Sequence, residues 1–392
     1  MALLSGWDYN MAFIRYGDWW RRHMRAFHQF FNSKAVGAFE PVKLKTRRQL
    51  LRNLLDTPEN FSEHLKYSVG RVIMDNQAVY AIEIKPENDQ FIIITHLTSE
   101  GFGRTVIPCL WLVDIFPILK RLPDWLPGIP FKNFAKKYRD LTQDLSNIPF
   151  NIVKNRESPD YSFVSTSLER LRRLQDFQFD EETVIKNVSG TAYAAGANTV
   201  RNRFFLSVSG WVNVVKQTYS AALQAVVALI LYPETQKKLQ EELDRVLGDR
   251  LPNLEDRKDL PYLNAFLAEV MRWRPPLPLG VPHAVQEDDV YGEYFIPKGS
   301  IIIADSWQIL RDEKYGPNPE EFNPERFFQP GVPWPTEQFG FGRRFCPGRF
   351  FAENANFLFM AAIFKVFNIT LKKDENGNDI PVSEKTIESG VP

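Results

Sequence analysis

The chain has 392 residues, 44% apolar and 24% charged, a composition that supplies a large buried core and excludes intrinsic disorder, collagen-like repeats and coiled coils. Its 48 basic and 48 acidic residues give zero formal net charge, which argues against a nucleic-acid partner bound through phosphate neutralisation. Two cysteines are too few for a secreted disulfide framework and indicate a reducing compartment. No apolar run is long enough to cross a bilayer, so the chain as given is predicted to be soluble and cytoplasmic.

Most of the chain is predicted to be helical, because apolar residues recur at helical spacing among mixed charges. A helix starting at residue 233 has proline in its first turn and Gly248 just past its end, and a helix over 261–274 is stopped by two prolines. The remaining predicted helices cover 17–31, 41–55, 60–80, 132–153 and 162–176, and an apolar segment extends from 180 to 232.

Strand signals are few and come late in the chain. Residues 292–296 and the β-branched run 300–304 flank a Pro-Lys-Gly turn and are predicted to form a strand pair. Beyond them, 317–335 is rich in Pro, Asn and Phe without a period, and its aromatic residues favour an ordered meander over a disordered linker. The chain is therefore predicted to be one mainly α domain over 1–392 with a small β-sheet.

Of the two cysteines, Cys109 fits a small buried hydrophobe, whereas Cys346 lies in the sequence FGFGRRFCPGR at 339–349. Gly342 and Gly348 bracket this thiol and free the backbone to approach a bulky flat ligand. The proline that follows favours a helix starting at once, so the thiol is placed at a helix N-terminus beside several arginines. The helix dipole and these cations favour the thiolate form.

A thiol of this kind suits a redox sensor or a catalytic nucleophile as well as a metal ligand, and the residues alone leave these interpretations open. A nucleophile would need a histidine base, for which His283 is the nearest in sequence. A zinc site would need further Cys or His at short spacing from Cys346, and the sequence has none. A single anionic sulfur in a loop of Gly and Phe suits an axial ligand of heme iron better.

The loop matches the pattern Phe-x-x-Gly-x-Arg-x-Cys-x-Gly at Phe339, Gly342, Arg344, Cys346 and Gly348. It therefore resembles the heme loop of cytochromes P450. The resemblance implies the mainly α cytochrome P450 fold, heme b with the thiolate of Cys346 as the axial metal ligand, and these five positions as cofactor-binding residues. It also implies a monooxygenase that inserts one oxygen atom from O2 into a lipophilic small molecule, using NADPH-derived electrons delivered by an NADPH–cytochrome P450 reductase.

A second family element is Glu-x-x-Arg on a helix, here Glu269 and Arg272, followed by Arg326 in the meander. The resemblance implies that these three residues form a structural charge network. The same spacing at 169/172 and 242/245 is explained by solvated i,i+3 pairs.

A third element, AGANT at 195–199, resembles the central family helix in which Ala-Gly-x-(acid)-Thr opens a groove for dioxygen. The resemblance implies that Thr199, with Asn198 in the place of the acid, is catalytic and relays protons to the bound oxygen. Asn198 donates and accepts hydrogen bonds but does not titrate. Without the other motifs, the small residues of 190–199 would be equally typical of close helix packing.

Further residues are implied to bind the heme propionates. Trp20 matches the family motif Trp-x-x-x-Arg, but Met24 stands at the arginine position, and Arg25 points about 100° further round the helix. His283, which enters the first late strand, matches a basic family position. Arg344 is the other propionate candidate.

Residues 200–217 interrupt the predicted central helix with charged residues and a β-prone run. They are predicted to be a non-family insertion, and we hypothesise an intron read through in frame. Removing them would join Thr199 to Thr218 and restore an unbroken helix.

The family fold normally begins before the Trp20 helix, so the chain is expected to lack its N-terminal part. The missing part would include the anchor that places eukaryotic relatives on the endoplasmic reticulum membrane. Phrases such as LPYLNA at 260–265 resemble fungal, basidiomycete microsomal members of secondary metabolism. The alternative function is a heme-binding pseudoenzyme or an inactive fragment of such an enzyme.

Overall fold

The computed structural model describes residues 1–74, 79–83, 89–106, 110–123, 130–157, 160–173, 179–197 and 217–380. Helices dominate these ranges, and each predicted helix has a counterpart. They are α1 (Asp18–Phe31), α2 (Glu40–Asp56), α3 (Phe61–Met74), α4 (Gln90–Val106), α5 (Leu112–Ile115), α6 (Pro130–Lys154), α7 (Phe163–Arg173), α8 (Phe179–Ala197), α9 (Gln217–Leu231), α10 (Pro233–Leu247), α11 (Pro261–Trp273), α12 (Ser306–Ile309) and α13 (Arg349–Val366). The sequence pattern does not predict α4, α5 or α12. Across the described residues, no helix combines the length and the apolarity that spanning a membrane requires.

The chain divides into two compact units. The first comprises Met1–Tyr219, Phe350–Ala355 and Lys385–Pro392, and the second comprises Ser220–Arg349 and Asn356–Glu384. In the first unit α8 is central, because it packs against α1, α3, α6 and α7 and buries Val184, Val188 and Tyr193. The assignment of 1–392 to one domain stays a prediction.

Glycines allow the helices of the first unit to approach closely. A Cβ on Gly190 of α8 would lie 2.6 Å from Ser146 Oγ of α6 and 2.9 Å from the ring of Tyr9. A Cβ on Gly101 of α4 would lie 2.4 Å from the ring of Tyr138 on α6. Both positions therefore exclude a side chain, and at Gly190 the small-residue pattern serves helix packing.

In the second unit, α10 and α11 begin and end as their sequence signals predict. Each has proline at its N-terminus, where a missing N–H costs nothing. Gly248 ends α10 with a φ of +57°, and its N–H donates to the carbonyl of Asp244 at 3.0 Å. The core of this unit includes Phe266 of α11, whose ring lies edge-on to those of Phe322 and Phe364 at 5.4 Å each.

The strands form two small antiparallel sheets, and their pairing corrects the predicted one. β1 (His283–Ala284) pairs with β4 (Ile301–Ile302), and β2 (Asp289–Tyr291) pairs with β3 (Tyr294–Ile296). The expected pair of 292–296 with 300–304 is therefore wrong. The two-residue turn after β2 contains Gly292 with a φ of +59°, and this tight turn folds β3 back on β2 instead.

The predicted charge network is present and buried in the second unit. Glu269 accepts hydrogen bonds from Arg272 Nε at 2.7 Å and from Arg326 Nε at 2.9 Å. A third donor is the backbone N–H of Asn323, at 2.8 Å. Glu269 and Arg272 are 0% exposed, so the charges compensate each other away from water.

The other two pairs with the same spacing differ from each other. Residues 169 and 172 are exposed, as expected for a solvated helix face. Glu242, however, is buried and accepts hydrogen bonds at 2.9 Å from the N–H groups of Tyr262 and Leu263. It therefore satisfies the N-terminal end of α11, and its interpretation as a solvated pair with Arg245 is wrong.

Glu269→Gln is expected to lower the free energy of unfolding by about 3–5 kcal/mol, because it leaves two buried guanidinium groups without their counter-charge. Urea unfolding followed by circular dichroism measures the change. Glu169→Gln, on the exposed face of α7, is the matched control and should change the value by less than about 0.5 kcal/mol. Equal effects of the two substitutions would contradict the structural role of the network.

Candidate functional site

The residues 337–348, here called the cysteine loop, form a closed backbone structure in the second unit. Gly340 has a φ of +88° and Gly342 a φ of +54° at the start of a 3-10 turn. This left-handed conformation is costly for residues with a Cβ. The N–H of Cys346 donates to the carbonyl oxygen of Phe339 at 2.8 Å and closes the loop.

Cys346 is half-buried and lies three residues before the start of α13. Its carbonyl accepts a hydrogen bond from the N–H of Arg349 at 3.4 Å. A Cβ on Gly348 would lie 4.0 Å from Sγ. The guanidinium of Arg349 lies 5.5 and 5.6 Å from the ring centres of Phe339 and Phe345. The sulfur thus belongs to a loop of glycine, aromatic and cationic residues at a helix start, which favours an anionic sulfur.

Arg344 and His283 are the basic candidates that the second unit brings together. Burial, and then the positive charge of Arg344, lower the pKa of His283. Burial also lowers the pKa of Arg344, which is half-buried. Since the charge of Arg344 disfavours the protonated form of His283, an anion bound near both groups would stabilise them. The pair therefore suits a carboxylate ligand.

Glu337 braces the start of the cysteine loop, and the sequence analysis missed it. Its carboxylate accepts hydrogen bonds from Tyr315 Oη at 2.8 Å and from Lys314 Nζ at 2.5 Å. Burial acts to raise the pKa of Glu337, but these two hydrogen bonds lower it overall. The sequence signal was weak, because it consisted of one acidic residue two positions before Phe339.

Trp20 belongs to the first unit, where it lies on α1 and is 6% exposed. Its ring centre is 5.3 Å from that of Tyr16. Met24, at the arginine position of the family motif, is half-buried, and Arg25 is exposed to solvent. The roles of Trp20 and Arg25 towards a heme propionate stay predictions.

The predicted oxygen-side residues, Asn198 and Thr199, lie outside the described residues, as does most of 200–217. The helix α8 is described up to Ala197. Upstream of that end, Ala192 and Ala194 are buried.

Comparisons with known proteins show the family and the fold. A family model described as Cytochrome P450 matches residues 216–388. The chain is 35% identical over 395 residues to Cytochrome P450 monooxygenase COX2 of Coprinopsis cinerea, and the match covers 98% of this chain and 71% of that protein. It is 34% identical to the tryptamine 4-monooxygenase of Psilocybe cyanescens, over 98% of this chain and 74% of that protein. A solved zebrafish cytochrome P450 structure with abiraterone has a TM-score of 0.70 at 25% identity, and the match covers 96% of this chain and 81% of that one.

The fold and these similarities define a heme-thiolate monooxygenase. The chain belongs to the cytochrome P450 family. The predicted mainly α fold and enzyme class are thereby confirmed. The residues present also fit a heme: Cys346 supplies a single sulfur donor, and, apart from Gly342 and its chain neighbours, no described residue lies within 4 Å of where a Cβ on Gly342 would be.

Gly342→Ala is expected to lower the free energy of unfolding by about 1–2 kcal/mol, because alanine is strained in the left-handed region. Gly37→Ala is the matched control, since this glycine has open space around it and no positive φ. It should raise the value by about 0.4–1 kcal/mol by restricting the unfolded chain. Urea denaturation measures both, and an unchanged or higher free energy of unfolding for Gly342→Ala would show that Gly342 tolerates a side chain.

Proposed function

We propose that Cys346 binds the iron of heme b as a thiolate and that the chain uses this cofactor to oxygenate a lipophilic small molecule. The observation that carries the proposal is the closed cysteine loop, in which two left-handed glycines and the bond from Cys346 N–H to Phe339 O hold the sulfur at the start of α13. When bound, heme supplies the activation of O2 and the insertion of one oxygen atom into the substrate.

The remaining cofactor contacts are proposed on charge and on family position. Arg344 and His283 would bind propionate carboxylates, because a carboxylate compensates the positive charge of Arg344, which, after burial, is the second cause that lowers the pKa of His283. Trp20, through its indole N–H, would donate to a propionate as well. Phe339, Gly342 and Gly348 would shape the backbone and the apolar surface next to the macrocycle.

On the oxygen side, Thr199 is proposed to hold a proton at its hydroxyl and to pass it towards the reacting oxygen. Asn198 would orient that hydroxyl or a water by hydrogen bonding, since an amide does not titrate. The proposal rests on their sequence position directly after α8 and on the AGANT motif.

The electron donor and the substrate class are proposed from the basic and apolar residues of the chain. Electrons would come from NADPH through NADPH–cytochrome P450 reductase, and Arg343, Arg349 and Arg25 are candidates for docking its acidic surface; Arg343 and Arg25 are exposed. The family resemblance aligns 192–195, 277–281 and 389–391 with pocket-lining stretches. The apolar or small residues of the first two support a lipophilic substrate, and 389–391 lie outside the described residues. The endoplasmic reticulum membrane is the proposed location by family resemblance.

Cys346→Ala is expected to abolish the reduced, carbon-monoxide-bound Soret band at the thiolate position, because alanine offers no ligand to iron. Absorbance spectroscopy of the purified, heme-loaded protein measures this. Arg343→Ala, on the exposed part of the same loop, is the matched control and should keep the band.

NADPH-dependent oxidation in the presence of reductase then separates the enzyme from a heme-binding pseudoenzyme. A thiolate band with turnover supports the proposal, and a band without turnover supports the pseudoenzyme. Persistence of the band in Cys346→Ala would show that another residue ligates iron.

Residues 200–217 are proposed to be an insertion that impairs the oxygen side. A variant lacking them joins Thr199 to Thr218, and it is expected to oxidise substrate faster per heme and to release less hydrogen peroxide than the full chain. The proposal rests on the charged and β-prone residues that interrupt the helical pattern at this point. The measurement is product and peroxide formed per NADPH consumed, with Thr199→Ala in the shortened chain as the control. Unchanged coupling in the shortened chain would contradict it.

A further inference from the structure

Lys43 is a fully buried lysine that the proposed chemistry does not use. It lies on α2 in the first unit and is 0% exposed. Within the described part of the chain, its Nζ has no hydrogen-bond partner. Lysine is almost never fully buried without a partner, because moving an ammonium group out of water is costly. The burial of Lys43 at this cost in free energy suggests that its amine has a specific role.

The amine of Lys43 faces an aromatic cluster made of Phe31, Phe39 and Phe351. Its Nζ lies 4.4 Å from the ring centre of Phe351, within the range of a cation–π interaction. The ring of Phe351 in turn meets those of Phe31 and Phe39 edge-on, at 5.9 and 5.7 Å. The ring of Phe351 is thereby contacted by the amine and by two further rings.

The amine of Lys43 changes its protonation state near neutral pH. Burial lowers the pKa of Lys43 to about 7, and the charge of Glu40, on the same helix, opposes the shift. Three further segments contribute to the cluster: α1, the 3-10 turn before α2, and α13. Each contributes one phenylalanine ring. Only the protonated amine attracts a ring face, so the contact with Phe351 weakens as pH rises through about 7.

Phe351 lies in the first turn of α13, the helix into which the cysteine loop leads. That helix begins at Arg349, whose N–H bonds to the carbonyl oxygen of Cys346 at 3.4 Å. Only four residues along the chain therefore separate Cys346 from Phe351, whose ring contacts the amine of Lys43. A shift of this first turn is passed to the loop end through the backbone.

We propose that Lys43 is a positioning residue for Cys346, and that its ammonium group, set against the face of Phe351, holds the first turn of α13 in place. This inference rests on the proposed role of Cys346 as the iron ligand. It predicts that the thiolate bond depends on the protonation of a residue that touches neither the cofactor nor the substrate.

The test is the rate at which the thiolate-position band of the reduced carbon monoxide complex is lost in dilute urea, measured from pH 6 to pH 9. In the wild-type protein the rate should rise about three- to tenfold as pH passes through the pKa of Lys43. Lys43→Met keeps the volume and removes the charge, so it should lose the band at the fast rate at every pH. Lys45→Met, two residues along on the exposed side of α2, is the matched control and should behave as wild type.

Global stability separates positioning from a general structural effect. Below pH 7 the buried ammonium destabilises the fold, and this penalty fades as pH rises from about 7 towards the unfolded value of 10.5. Lys43→Met should therefore unfold at a urea concentration equal to or higher than wild type while it loses the thiolate band faster. Parallel loss of both, or a wild-type pH profile in Lys43→Met, would overturn the proposal.

A second variant keeps the test valid if Lys43→Met does not fold. Phe351→Leu removes the ring and should give the same pH-independent fast rate, and the double variant should be no faster than either single one. If even the wild-type chain takes up no heme, the proposed function has failed; the alkylation rate of Cys346, followed by mass spectrometry, then tests Lys43 by itself. An alkylation rate that is equal in wild type and Lys43→Met at all pH values would reject the inference.

Discussion

A cysteine sulfur that binds a metal must be held at a fixed position, and this requires a rigid backbone around it. In the cysteine loop this constraint is met by the hydrogen bond from Cys346 N–H to Phe339 O and by the left-handed turns at Gly340 and Gly342. Glu337 ties the start of the same loop to Tyr315. Within the loop, the position of the thiol is therefore set by main-chain geometry.

The loop is connected to the core of its unit through a continuous polar network. Arg326 donates to Glu269 and also to the backbone carbonyl of Tyr315, at 2.7 Å, and the hydroxyl of Tyr315 holds Glu337. Arg272 adds hydrogen bonds to the carbonyls of Leu310, Pro319 and Glu321. An irregular meander leaves many buried carbonyl groups unpaired, and the forked guanidinium donors satisfy them. The buried charges thus order a segment that has little regular secondary structure of its own.

The helices that sequence reasoning predicted are those whose signals are local. The helix α10 has proline at its start, glycine at its end and an amphipathic repeat between them, so short-range chemistry decides it. The helix α4 was missed because Ile93, Ile94 and Thr95 are β-branched and typical of strands. Its packing against α6, with Gly101 against the ring of Tyr138, outweighs that preference. Strand pairing failed for the same reason, since it depends on which segments meet in space.

The sequence by itself predicts the chemistry of the site. Its cysteine, arginine and two glycines lie within ten residues, and such a local pattern can be recognised before the fold is known. Only the tertiary structure determined which charged residues are buried away from solvent. Of three Glu-x-x-Arg pairs, the one at Glu269 became a buried network, one stayed exposed, and Glu242 became a cap of α11. On α2, Lys43 is buried while Lys45, two positions along, is exposed. Burial follows from long-range packing, and it converts the same side chain from a solvated charge into a structural or titrating group.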